Sequence, residues 1–262
     1  MIDARSIETI EDAVPQPLWK KKAIADREEE LLGVARKMLL GPGGINALTM
    51  ERLAEATPYS KGTLYQHFGS KDDLLSALWI QPLEVRLDLY RRAAVFHGRT
   101  RERILAIEAA RRVVFELHPE SEVIEGGMFA GQSNVSPKRV ARIAEIAAGI
   151  SGVSLGIIRD AAAVGDLALG PGLSAEQAYL ALRSLAYGLM HGWQSTGVLQ
   201  SLGQGAVTEI ALGLSSRLLD GLGWQPLARD WDYAKTLERI WREVFPEEAR
   251  RMSVGGGRRR FG

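Results

Sequence analysis

Between its prolines this chain repeats its apolar residues at the spacing of a helix, and almost nowhere at that of a strand. No other feature constrains the fold as much. A 3.6-residue period buries one stripe of a helix and cannot alternate across the faces of a sheet. The ten prolines stand at 15, 17, 42, 58, 82, 119, 137, 171, 226 and 246. Each lacks an amide donor and clashes with the preceding turn, so each is expected at the edge of an element, Pro82 included. Helix starts are spelled out between them. Ser136-Pro137 sets a hydroxyl before a proline at the first helical position, where the missing N–H costs nothing. Ser174-Ala175-Glu176-Gln177 reads as a capping box, and Ser70-Lys71-Asp72-Asp73 puts two carboxylates in a first turn, where the helix dipole favours them. Leu237, Ile240, Trp241 and Val244 make one apolar stripe on a late helix.

The expected fold is therefore all-α, with helices near 20–40, 49–56, 60–67, 71–96, 100–118, 120–130, 136–167, 174–196, 204–222 and 230–245. The glycines at 41–44 should end the first helix and turn the chain. Residues 1–18, acidic and holding Pro15 and Pro17, are expected to form a loose arm. Residues 250–262, which close on three glycines and Arg258, Arg259 and Arg260, are expected to form a loose basic tail.

Several function classes drop out early. The chain has 262 residues, enough to bury a core without staples. It has no cysteine, which rules out disulfides, thiolate metal sites and a cysteine nucleophile. Its formal net charge of +1 names no partner. Asp3, Glu8, Glu11 and Asp12 contradict an export signal. The longest uncharged run, Ser184 to Thr208, holds His191, Gln194, Gln200 and Gln204 and is too polar to span a bilayer. A cytoplasmic protein with no membrane partner is expected. His-Glu-x-x-His, Gly-x-Ser-x-Gly and phosphate-loop patterns are all missing. The four histidines, at 67, 97, 118 and 191, lack metal-ligand spacing. The reading is of no enzyme, no cofactor and no metal.

The informative stretch runs from Thr49 to Phe68. It reads as two short helices joined by a tight turn, each opened by a hydroxyl cap, Thr49 and Ser60. Leu53 and Ala54 should face inward on the first, Leu64 and Phe68 on the second. Lys61, Gly62, Thr63, Tyr65, Gln66 and His67 are left for the other faces. A short donor-rich helix on an apolar strip suits a DNA major groove about 12 Å wide. Alone it would not be stable, so the helix at 20–40 must brace it through Leu31, Leu32, Ala35, Met38 and Leu39.

From about Leu31 to Trp79 the chain resembles the DNA-binding domain of the TetR family of bacterial transcriptional regulators. The likeness is densest in Leu53-Ala54 and in the run Ser60-Lys61-Gly62-Thr63-Leu64-Tyr65-Gln66-His67-Phe68-Gly69-Ser70-Lys71. Beyond it the similarity is one of layout: a long helix ending Gly165-Asp166-Leu167, then Ser174-Ala175-Glu176, then Tyr187-Gly188. The resemblance implies that Lys61, Gly62, Thr63 and Gln66 face base edges. It implies that Thr49, Ser60, Tyr65, His67 and Lys71 hold the DNA backbone. Physical chemistry agrees for several of these. Lys71 opens a helix whose amides favour phosphate, Gln66 can pair bidentately with adenine, and Gly62 allows close backbone approach. The family commonly has glycine where this chain has Pro58, so the turn between the helices must be built differently. Bulk charge adds little, because residues 19–79 hold nine Lys and Arg against eight Asp and Glu.

These observations divide the chain into an arm (1–18), a helix-turn-helix DNA-binding domain (19–79), a helical effector-binding and dimerisation domain (80–249) and a tail (250–262). A homodimer is expected to pack through 174–196 and 204–222, setting two reading helices one DNA turn apart. Phe96, Phe115, Met128, Phe129, Tyr187, Met190, His191 and Gln194, with Trp79 and Trp193, are candidates to line an effector pocket. The expected function is a repressor that leaves double-stranded operator DNA when a small molecule binds. A ligand-independent architectural binder, or an activator on the same scaffold, are the alternatives.

Overall fold

The structure, a computed structural model, describes residues 18–128, 134–195 and 207–255. Among these the chain is helical throughout, with one isolated bridge between Gly170 and Leu173. Helix α1 (Leu18–Leu39) ends in a turn where Gly43 and Gly44 take φ of 91° and 52°, values that side chains disfavour. A single turn, α2 (Gly44–Ala47), leads to α3 (Met50–Glu55), α4 (Lys61–His67) and the long α5 (Lys71–Ala94). The first three hydroxyl caps form, whereas the one expected at Ser136 does not. Thr49, Ser60 and Ser70 accept from the amides of Arg52, Thr63 and Asp73 at 3.2, 3.1 and 3.0 Å. Each such cap contributes about 1 kcal/mol.

Packing explains why helices this short persist. Leu31, Ala35 and Leu39 of α1 bury themselves against Met50, Leu53, Leu64 and Phe68, with Leu74 and Leu78 of α5 as the floor. At roughly 1.5–3 kcal/mol per fully buried side chain, this outweighs the weak intrinsic stability of a seven-residue helix. Ala54 is only half-buried, while Leu32 and Met38 pack at the margin.

Helices α6 (Thr100–Leu117), α8 (Pro137–Ala163), α9 (Ala175–Ser195), α10 (Val207–Gly221), α11 (Tyr233–Glu243) and α12 (Pro246–Gly255) build a second, larger core, while α7 (Glu120–Met128) sets Ile124 into the first. Leu83 and Tyr90 of α5 enter the larger core beside Ile104, Ile107, Ile150, Ile157, Leu182 and Ile240. The Ser174 capping box is complete: its hydroxyl accepts from the Gln177 amide at 3.1 Å, and its own amide donates to the Gln177 side chain at 2.7 Å. Helix α8 is apolar and long enough to cross a membrane by composition alone, with mean hydropathy 1.5. Here it packs against α5, α6 and α9. Arg101 is wholly buried, and its guanidinium donates to Asp220 (2.6 Å) and to the carbonyls of Trp224 (2.7 Å), Pro226 (2.9 Å) and Ser216 (3.1 Å). Those partners are what allow the charge to be buried.

Two expectations need correction. Pro82 does not mark an edge; it lies inside α5 and is buried. The helix is fixed on both sides by the two cores, so one missing amide does not stop it. The basic tail does not begin at 250 either, because α12 runs to Gly255. Pro246 opens it, with Glu247 and Glu248 in its first turn, which is the pattern a helix start favours.

Candidate nucleic-acid interface

Helix α4 lies with Leu64 and the adjoining Phe68 fully buried, which fixes its rotation. Lys61, Gly62, Tyr65 and Gln66 are then exposed together, and Thr63 is half-buried beside them. The preceding turn is built without positive φ, since among the described residues only glycines outside it have such values. Pro58 fits on those terms. The Thr57 hydroxyl donates back to the Leu53 carbonyl at 3.0 Å, and the Tyr59 hydroxyl donates to Glu30 at 2.5 Å. Arg27 of α1 sits 5.3 Å over the Tyr59 ring. The hydrogen bond to Glu30 pushes the Tyr59 phenol above its ordinary value.

A Cβ added at Gly62 would meet nothing nearer than the Ser60 hydroxyl at 3.8 Å. The fold itself therefore does not require glycine there. Lys61 is paired with Glu51 across the two short helices at 2.5 Å, both groups being more than half exposed. Their hydrogen bond holds the Glu51 carboxyl below its ordinary value and raises the Lys61 ammonium. Lys71 donates one N–H to the Ile45 carbonyl at 2.6 Å, leaving two for another acceptor.

His67 stands apart from its neighbours. Its side chain is only 6% exposed and faces Glu28 of α1 at 3.5 Å. The face that the sequence reading gives to DNA backbone thus loses this imidazole, which the packing of α1 against α4 turns inward. Its carbonyl accepts instead from Arg139 of α8 at 3.2 Å. Arg139 also donates to Asp73 (2.5 Å) and Glu28 (2.9 Å), and sits 5.2 Å over the Phe68 ring. Asp73 takes further bonds from the Ser136 amide (2.9 Å) and the Gly69 amide (3.2 Å). Burial alone would raise the Asp73 pKa; the Ser136 amide and then Arg139 outweigh it and hold the carboxyl below its usual value. One guanidinium from the larger core thereby ties α1, the end of α4 and the start of α5 together. Sequence reasoning missed it, since no local pattern distinguishes Arg139 from other surface arginines.

A cavity of about 230 Å³ opens among α5, α6, α7, α8 and α9. Its apolar wall includes Trp79, Leu83, Ile104, Ile107, Ile150 and Leu182. Of the pocket candidates from sequence, Tyr187 and Trp79 line it. Phe96 does not: it lies past the end of α5, in the core, with Arg239 of α11 4.9 Å over its ring. Phe115 is not among the lining residues either. Phe129 and the side chains of Met128, Met190, His191, Trp193 and Gln194 lie outside the described residues. What the sequence reading missed is charge. Arg86 pairs with Glu125 at 2.8 Å, and Arg111 forks onto Glu108 at 2.7 and 2.9 Å. Burial opposes the Arg111 charge, but Glu108 and Tyr90 outweigh it and raise its pKa.

Two capped short helices, an exposed donor face set by a buried apolar edge, and a bracing first helix define a helix-turn-helix unit on an all-helical body. Residues 32–78 match the bacterial regulatory proteins of the tetR family. Residues 32–78 thus form a unit of the tetR type, and over about three-quarters of its length the chain shares the fold of solved structures so described. A regulatory protein of the tetR family from Rhodococcus RHA1 superposes with TM-score 0.57 and 23% identity, over 78% of this chain and 98% of that one. The transcriptional regulator FadR from Bacillus subtilis, in complex with stearoyl-CoA, superposes with TM-score 0.57 and 14% identity, over 74% and 98%. Among curated proteins, the nucleoid occlusion factor SlmA of Haemophilus ducreyi is 34% identical over 103 residues, 38% of this chain and 50% of that protein. SlmA of Glaesserella parasuis is 28% identical over 129 residues, 48% and 62% respectively. The chain therefore spans between half and two-thirds of the length of these two relatives.

Proposed function

We propose that this chain is a cytoplasmic, homodimeric transcriptional regulator that binds duplex DNA through α4 and represses until a small molecule fills the cavity of the larger core. The observation that carries the reading is the exposed set Lys61, Gly62, Tyr65 and Gln66, held outward by buried Leu64 and Phe68. In this reading Lys61, Gly62, Thr63 and Gln66 meet base edges, while Thr49, Ser60, Tyr65 and Lys71 hold the backbone. The His67 ring contributes by facing Glu28 of α1 rather than by meeting DNA. Residues 19–79 act as the DNA-binding domain and 80–249 as the effector and dimer domain, with α9 and α10 as the dimer faces. Leu180 on α9, 56% exposed, supports that placement.

A second reading, a ligand-independent architectural DNA binder, takes support from relatives named as nucleoid occlusion factors. The cavity favours the first reading. Selection of duplexes from a random library by the full-length protein, followed by salt titration, tests both. The regulator reading expects one enriched palindromic site. The architectural reading expects weak preference and no response to any ligand. Gln66→Ala should change the preferred sequence, each lost pairing being worth about 1–3 kcal/mol of discrimination. Lys71→Ala should weaken all sequences and lower the salt slope by about 1 per half-site. A purified protein that retains no duplex at low salt would refute both readings.

A further inference from the structure

The charges around the cavity are not balanced in their hydrogen-bonding capacity. Both oxygens of Glu108 are taken by Arg111, and the Glu125 oxygen that pairs with Arg86 also accepts from the Trp79 indole at 3.4 Å. The carboxylates are thus neutralised and already bonded. Two of the three arginines, Arg86 and Arg183, have donors to spare. The Arg86 Nε is buried with no acceptor among the described residues. Arg183, exposed at the open side, donates only to the Tyr179 phenol at 3.2 Å, and no carboxylate lies within ion-pair distance of it among the described residues. The cavity lining therefore carries three arginines against two glutamates, both of which are already paired, while most of its wall is apolar. A buried donor without a partner is costly, and a ligand acceptor that meets one gains a charge-assisted bond.

Size narrows the class. An apolar cavity of about 150 Å³ holds a six-carbon ring, so one of about 230 Å³ holds roughly ten non-hydrogen atoms by the same packing. We propose that this cavity takes a small apolar molecule carrying one anionic head group, with the head at Arg183 and the apolar body against Leu83, Ile107 and Ile150. The inference rests on the reading of the chain as a ligand-controlled DNA binder and names what controls it.

The test is calorimetry on the full-length protein with four probes sharing one chain: octanoate, octan-1-ol, octylamine and octanoyl-CoA. Octanoate is expected to bind at least about tenfold tighter than octan-1-ol, the usual range for a charge-assisted bond, and octylamine more weakly than either. Arg183→Gln should bring octanoate down to the level of octan-1-ol without moving octan-1-ol, and Arg183→Lys should keep most of the preference. Octanoyl-CoA binding tighter than octanoate, and losing that advantage in Arg183→Gln, would support the anion and assign its charge to phosphates rather than a free acid. Equal or tighter binding of octan-1-ol or octylamine, no binding of any probe, or octanoate affinity unchanged in Arg183→Gln would each overturn the proposal. Retention of selected duplex without ligand is measured separately, so failure of the DNA reading shows there and not in the calorimetry.

Discussion

Replacing Arg139 by alanine removes a guanidinium that is 15% exposed from a carboxylate, Asp73, that is 3% exposed. Breaking a well-buried pair costs about 3–5 kcal/mol because the remaining charge is left without its partner. Here Asp73 keeps the Ser136 and Gly69 amides, which lowers the cost, while loss of the contact over Phe68 restores about 0.5–1 kcal/mol. The expected destabilisation is about 2–4 kcal/mol by urea unfolding at pH 7. A double-mutant cycle with Asp73→Asn should give a coupling above about 1 kcal/mol. The pH dependence has a definite sign. Asp73 has a folded pKa below its unfolded value, so its contribution is complete above the unfolded value of about 3.9 and is lost as pH falls through the folded one. The gap between wild type and Arg139→Ala should therefore close as pH drops below about 4. A gap of the same size at pH 3 and pH 7, or a coupling below about 0.5 kcal/mol, would refute the account of this junction.

Other perturbations separate folding from recognition. Gly62→Ala should raise stability by about 0.5–1 kcal/mol, since space exists for the methyl group, yet weaken duplex binding by about tenfold, or 1.4 kcal/mol, in a fluorescence-anisotropy titration. Unchanged affinity would mean the backbone there never approaches DNA. Ser60→Ala should cost about 1 kcal/mol in thermal or urea unfolding through loss of the cap on Thr63. Arg101→Met should cost about 3–5 kcal/mol, since the Trp224 and Pro226 carbonyls lose their donor; a urea midpoint within error of wild type would contradict it.

Much of the local structure was legible because its causes are local. Hydroxyl caps at Thr49, Ser60, Ser70 and Ser174 all close on amides three residues ahead, and that spacing is written in the chain. Ser136 was read as a cap as well, but its hydroxyl makes no cap bond and its amide goes to Asp73, 63 residues away. Pro82 misled for a related reason: the rule that proline ends helices is local, and packing on both sides of α5 overrides it. His67 needed knowledge of Glu28, which is far off in sequence. The cavity was harder still. Aromatic residues suggested a pocket, but Arg86 of α5 and Glu125 of α7 meet only once the bundle is packed; Glu108 and Arg111 pair three residues apart on α6, and only packing brings that pair to the cavity.

Helix α5 belongs to both cores: Leu74 and Leu78 are anchored in one, Leu83 and Tyr90 in the other, and Trp79 touches both. At about 1.5 Å per residue its 24 residues make a rod roughly 36 Å long. Pivoted near its middle, such a rod works as a seesaw. A tilt of about 5° imposed by cargo at the Tyr90 end would swing the Lys71 end by roughly 1.5 Å the other way, and the two short helices resting on it would travel with that end.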